Sequence, residues 1–233
     1  LSDEDRKQFT RPSYDDGITT REPDPLLEPL LAFYTNTLAT YGPTPPGVSW
    51  NSADAQQIRF AKLCEVMDAA RERSIIDYGC GYGALLSYLR GAGRDVDYWG
   101  YDICAPMIDA AKAGFDGQPR AHFTMERAEL PKADYCVASG IFNVKLDADN
   151  EAWHQYMVAA IEDMASLATR GIAFNALTTY SDREKQRPDL HYADPLQLFD
   201  YCKRNLSEDV ALLHDYKLYD FTIIVRLATS SGR

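Results

Sequence analysis

The sequence predicts an α/β fold: one mostly parallel, seven-stranded sheet with helices on both faces and an antiparallel hairpin at its C-terminal end. Three observations predict it. From Ser74 onward, apolar β-rich runs alternate with helical patterns, which implies a parallel sheet covered on both sides. The first such run enters a glycine-rich turn, Gly79-Cys80-Gly81-Tyr82-Gly83. The last two runs, Val210–Tyr216 and Phe221–Leu227, lie too close together for a helix between them and read as a hairpin.

Residues 1–50 stand apart as a proline-rich, helical lid segment, holding Pro12, Pro23, Pro25, Pro29, Pro43, Pro45 and Pro46. Asp24-Pro25 offers an N-cap followed by a proline at the first helical position. Leu26, Leu27, Leu30, Leu31, Tyr34 and Leu38 then recur at helical spacing until Gly42-Pro43-Thr44-Pro45-Pro46-Gly47 breaks the pattern. The main domain spans 51–228. Its first helix starts near Asn51 or Ser52, with Phe60, Leu63, Cys64, Met67 and Ala70 on one face. Strands follow at about 74–78, 96–101, 120–125, 133–138 and 171–176, with helices at roughly 83–91, 105–113, 150–169 and 194–205. Residues 229–233 read as a flexible tail.

A single core of this size buries roughly 70% of the unfolded chain's surface, so the fold needs no disulfide or metal. Cys64, Cys80, Cys104, Cys136 and Cys202 form no Cys-x-x-Cys pair and fit no zinc pattern; no metal site is expected. The formal net charge of −11 and the lack of a basic stripe argue against a nucleic-acid partner, since phosphate neutralisation supplies most of such affinity. No apolar run reaches membrane-spanning length and no signal peptide is visible, so no membrane partner and a cytoplasmic location are expected. Oligomeric state is left open.

The turn after Ile75-Ile76-Asp77-Tyr78 carries the chemistry. Glycines let backbone approach a ligand without a Cβ, and the amides of the next helix face it. The spacing is Gly-x-Gly-x-Gly, unlike the Gly-x-Gly-x-x-Gly of dinucleotide enzymes and unlike a P-loop. Asp77, two residues before the first glycine, would repel a pyrophosphate but suits an ammonium or sulfonium. Asp102 ends the second strand, where a carboxylate accepts hydrogen bonds from ribose hydroxyls.

With these residues the chain resembles the class I, Rossmann-like S-adenosylmethionine (SAM)-dependent methyltransferases over about residues 52–227. The resemblance implies SAM as cofactor and S-adenosylhomocysteine (SAH) as product. It implies that Asp77, Cys80 and the backbone of Gly79, Gly81 and Gly83 hold the methionine part, that Asp102 holds the ribose, and that Ile103 packs on adenine. Glu126, after the third strand, is the match for the acid that meets the adenine amino group, against the alternative of a solvated surface acid. Arg59 is a candidate partner for the methionine carboxylate, against the alternative of an ordinary surface arginine.

In an open α/β sheet the ligand crevice lies at the carboxyl ends of the strands, at the switch between the first and fourth. Ser139 to Asn143 should line it, with Ser139 and Gly140 near the sulfur and Phe142 and Asn143 toward the substrate, against the alternatives of packing for Phe142 and a loop turn for Asn143. Asn175, Tyr180 and Tyr192 are further acceptor-site candidates. His191, in the long segment after the fifth strand, is the candidate general base, against the default of a surface or structural histidine. The expected function is methyl transfer to the oxygen or nitrogen of a small molecule by in-line displacement. The alternatives are a non-catalytic SAM-binding or scaffold protein and, less compatible with the glycine spacing, an NAD-dependent oxidoreductase.

Overall fold

The computed structural model describes residues 25–50, 52–68 and 73–228. The tail at 229–233, the helix-face residue Ala70 and the N-cap Asp24 lie outside these residues.

Seven strands form one sheet in the order β3-β2-β1-β4-β5-β7-β6. They are β1 (Ser74–Tyr78), β2 (Asp97–Tyr101), β3 (Ala121–Thr124), β4 (Ala133–Ala138), β5 (Ala168–Leu177), β6 (Asp209–Leu213) and β7 (Asp220–Arg226). The first five are parallel. β7 inserts antiparallel between β5 and β6, so the hairpin predicted from the C-terminal runs is present. Because β4 pairs with β1 and not with β3, the chain reverses direction across the sheet between β1 and β4, and that gap opens the crevice.

Successive side chains on a strand point to opposite faces, and the core divides accordingly. Ile76, Cys136, Ile172 and Ile223 pack with Trp153, Met157, Ile161 and Met164 of α5 (Asn150–Leu167) and with Leu198 and Cys202 of α6 (Pro195–Asn205). Their neighbours Ile75, Tyr135, Ala173 and Ile224 pack on the other face with Phe60 and Leu63 of α2 (Ala53–Leu63) and Leu85, Leu86 and Leu89 of α3 (Ala84–Gly91). Helices thus cover both faces. α4 (Ala105–Gly114) links β2 and β3.

Element ends differ from expectation for local reasons. α1 runs Glu28–Tyr41 and not from Pro25, with Pro29 in its first turn; a proline is tolerated only there, which fixes the start. α2 stops at Leu63 and passes through a short 3-10 turn, so Cys64 and Met67 leave the helix although both stay buried. β5 begins directly after α5, at Ala168, because Ala168 is already extended.

Candidate active site

The turn after β1 is built by left-handed glycines, at φ +83° for Gly79, +52° for Gly81 and +84° for Gly83. A side chain at Gly79 would strike Ile141, its Cβ lying 2.1 Å from Ile141 Cγ2. The Gly79 and Cys80 amides donate to the Tyr101 carbonyl, at 2.7 and 3.0 Å, which ties the turn to the end of β2. Asp102 completes the tie. Its Oδ2 accepts the Gly81 amide at 2.8 Å and its Oδ1 accepts the Cys104 amide at 2.9 Å. Burial raises the Asp102 pKa, and the amides of Cys104, Gly81 and Ile103 oppose the rise.

Asp77 is 3% exposed and accepts the Tyr98 hydroxyl at 2.6 Å. Burial pushes its pKa up to about 7; the Tyr98 hydrogen bond opposes this and the nearby Asp102 charge adds to it. A buried acid of this kind favours a cationic neighbour.

These residues line a cavity of about 1100 Å³, mouth included, large enough for a nucleoside-sized ligand. Asp77, Gly79, Cys80, Gly81, Asp102, Ile103 and Ser139 all face it. The N-terminal segment supplies the opposite wall, through Leu27, then Leu30, Leu31 and Tyr34 of α1, then Val48 and Trp50. Burial, followed by the charges of Asp102 and Cys104, holds the Tyr34 phenol protonated.

A second cavity, about 1770 Å³, adjoins the first. Tyr34, Val48, Trp50 and Gly140 line both. Gly140 sits at φ +81°, and a Cβ there would lie 2.4 Å from Trp50 Cζ2. Behind this partition, Asn175 accepts the Gly140 amide at 2.9 Å and donates to Ser139 Oγ at 3.2 Å. Two forked ion pairs line the second cavity. Arg59 binds Asp220 through Nε–Oδ1 (3.0 Å) and Nη2–Oδ2 (2.5 Å), and its guanidinium stacks 4.1 Å from the Trp50 ring. Arg187 binds Asp189 through the same fork, at 3.0 and 2.5 Å. Asn143, Tyr180 and His214 also face this cavity.

Other predicted site residues lie elsewhere. Gly83 caps α3 and packs toward Phe115 and Phe123, outside the cavity. Glu126 is exposed and lines neither cavity, although its charge reaches Tyr101; its amide is drawn back to Thr124 Oγ1. Arg59 does not reach the first cavity, because Asp220 occupies its fork. Phe142 is fully buried between Phe174, Tyr156 and Trp153, whose indole donates to the Phe142 carbonyl. Asn175 and Tyr192 stand behind the cavity walls; the Tyr192 hydroxyl accepts the Arg187 amide at 3.0 Å.

His191 is the largest correction. Leu190 forms a bridge with Val144 and lines the second cavity, and the His191 amide donates to the Asn143 carbonyl at 2.8 Å. In this extended segment the next side chain points the other way. The imidazole therefore lines neither cavity. Burial, with the charges of His154 and Lys145, lowers its pKa to about 4.

Sequence reasoning missed Tyr34, Tyr82 and Asp220. Tyr34 lies on the apolar stripe of α1 and reads as packing. Asp220 opens a strand with no motif around it.

The comparisons with known proteins agree with this architecture. A family model for a methyltransferase domain matches residues 53–224. The putative methyltransferase Rv1506c of Mycobacterium tuberculosis is 49% identical over 164 residues, covering 70% of this chain and 99% of that protein. Among solved structures, magnesium protoporphyrin IX methyltransferase of Synechocystis PCC 6803 with bound SAH superposes with a TM-score of 0.54 at 18% identity, covering 75% of this chain and 84% of that one. The DhpI–SAH complex gives 0.61 at 14% identity, covering 88% and 98%. The structural likenesses carry the fold, and the domain match and the 49% identical relative carry the family: the chain belongs to the class I methyltransferases.

Proposed function

We propose that the protein transfers a methyl group from SAM, held in the first cavity, to a hydroxyl or amine of a small molecule held in the second. The observation that carries this reading is the shared wall: two cavities meet across Gly140, Trp50, Tyr34 and Val48. The residues of the first cavity fit the cofactor. Asp77 offers a buried carboxylate for a cation, and Asp102 lies at the end of β2 where ribose is read.

SAM supplies a methyl group already activated on a sulfonium with a neutral leaving group. The chain's part is alignment, which contributes about 7–11 kcal/mol when reacting atoms are held in near-attack geometry. Gly140 keeps a side chain out of the boundary between the cavities, and Asn175 fixes its backbone. Trp50 and Tyr34 wall the same boundary against water, so the segment before residue 51 serves as the lid. Both carboxylates facing the acceptor cavity are held by arginines, whereas His214 meets the rings of Tyr180 and Phe221 and makes no side-chain hydrogen bond or ion pair among the described residues. His214 is the imidazole placed to accept a proton from a hydroxyl acceptor.

The chemistry of relatives supports a small acceptor, since one solved neighbour methylates magnesium protoporphyrin IX and another was crystallised in the presence of SAH and D-fucose. No described helix is long and apolar enough to cross a membrane; with the net charge of −11 this favours a cytoplasmic enzyme without a nucleic-acid partner. Calorimetric titration with SAM and SAH, followed by an acceptor-library screen with methyl-tritiated SAM, tests the reading. Label on a small molecule supports it. Absence of binding to either nucleoside refutes the cofactor site, and binding without transfer to any acceptor favours the scaffold role.

A further inference from the structure

The first cavity is unevenly charged. Asp77 and Asp102 face it, and no lysine or arginine does among the described residues. The cofactor proposed for it ends in an amino acid, which brings a carboxylate as well as an ammonium. A carboxylate moved out of water into an acid-lined, largely apolar chamber needs hydrogen-bond donors.

Gln56 and Tyr82 carry side-chain donors in the cavity lining. Gln56 projects from α2 and is 7% exposed, an unusual depth for glutamine. It lines the cavity together with Phe60, one turn further along the same helix. Tyr82 lines the same cavity, and burial raises the pKa of its phenol while the Gln56 amide opposes the rise. Tyr82 sits within the turn itself, and among the described residues its backbone N–H meets no backbone acceptor. A glutamine amide carries two N–H donors, and these are available to a ligand in the cavity. Arg59, three residues along α2, is withdrawn from this role by its fork to Asp220.

We propose that Gln56, which lines the cavity beside the glycine turn, receives the α-carboxylate of the cofactor's amino-acid tail; the inference rests on the SAM reading above. It replaces the charged partner that the sequence suggested with a neutral amide on the preceding turn of the same helix. A neutral donor suits a chamber whose acids already favour the cationic end of the tail.

The experiment compares SAH with S-adenosyl-3-thiopropylamine, which keeps the nucleoside, the thioether and the ammonium and lacks only the carboxylate. Calorimetry on the full chain should show the decarboxylated ligand binding about tenfold or more weaker than SAH, the size expected of hydrogen bonds to a charged group. Gln56→Leu should weaken SAH by about tenfold or more and leave the decarboxylated ligand within about twofold, so that discrimination collapses. Equal losses for both ligands, or unchanged SAH affinity, overturn the assignment. Gln56→Glu keeps the shape and adds a charge; it should weaken SAH and strengthen the cationic analogue, and the reverse order overturns the assignment even if Gln56→Leu does not fold. Wild-type protein that binds both ligands alike overturns this inference alone, whereas failure to bind either overturns the cofactor reading with it.

Discussion

Arg59 and Asp220, 161 residues apart in sequence, meet as a forked ion pair whose side chains are 9% and 0% exposed. The pair joins α2 to the start of β7, and its guanidinium carries the Trp50 ring that walls both cavities. Removing one partner strands a buried charge. Asp220→Asn should cost about 3–5 kcal/mol, read as a lower urea midpoint. Replacing both partners, Arg59→Met with Asp220→Leu, should cost less than the single change, because no charge is left uncompensated. A single variant as stable as wild type would remove the pair from the stability of the fold.

Asp77 predicts a pH dependence. Its folded pKa, about 7, lies above its ordinary value of 3.8. Such a group stabilises the fold fully below about 3.8, and that contribution is lost as pH rises through about 7. Apo wild-type protein should therefore lose stability across this window relative to Asp77→Asn, measured by thermal melts at fixed ionic strength. A cationic ligand favours the ionised acid, so SAM binding below about pH 7 should release a proton. Titrations in two buffers of different ionisation heat detect it; identical heats would show that Asp77 does not couple to the ligand.

Asp102 holds two backbone amides while facing the cavity. Asp102→Ala should weaken SAH by roughly ten- to a hundredfold, the range for hydrogen bonds to a charged group. The fold should survive, with a cooperative melt retained. SAH affinity equal to wild type would move the ribose elsewhere.

Gly140→Ala tests the partition. The added carbon would stand 2.4 Å from Trp50 Cζ2, at a φ of +81° that alanine resists. The variant should lose about 1–3 kcal/mol and displace the indole, seen as a shift in tryptophan emission. Unchanged emission and stability would mean that Trp50 does not rest on Gly140 in solution.

Once an acceptor is found, two histidine variants separate the rival bases. His191→Gln should keep the wild-type pH–rate profile, because its ring lines neither cavity. His214→Gln should lower the rate with a hydroxyl acceptor by about 10²–10⁴-fold. The opposite pattern restores His191 as the base.

Much of the architecture was legible because its causes are local. The strand–helix alternation, the acid-flanked glycine turn and the short link before Phe221 each depend on neighbouring residues. So does the placing of Asp102 at the end of β2. The errors came where direction mattered. His191 was placed in the right loop, but one bridge, Val144 to Leu190, turns its ring away from the cavity. Phe142, read as packing rather than catalysis, does join the core, with its carbonyl held by the indole of Trp153.

The sequence by itself determined the order of elements and the backbone of the glycine turn, since periodicity and left-handed glycines act over a few residues. Only the tertiary structure decided which side chains meet. Asp220 takes the arginine that the glycine-turn reading had assigned to a ligand, and Gln56 comes to face the cavity in its stead. Both outcomes follow from packing α2 against the sheet, a contact between segments distant in the chain that no local pattern encodes.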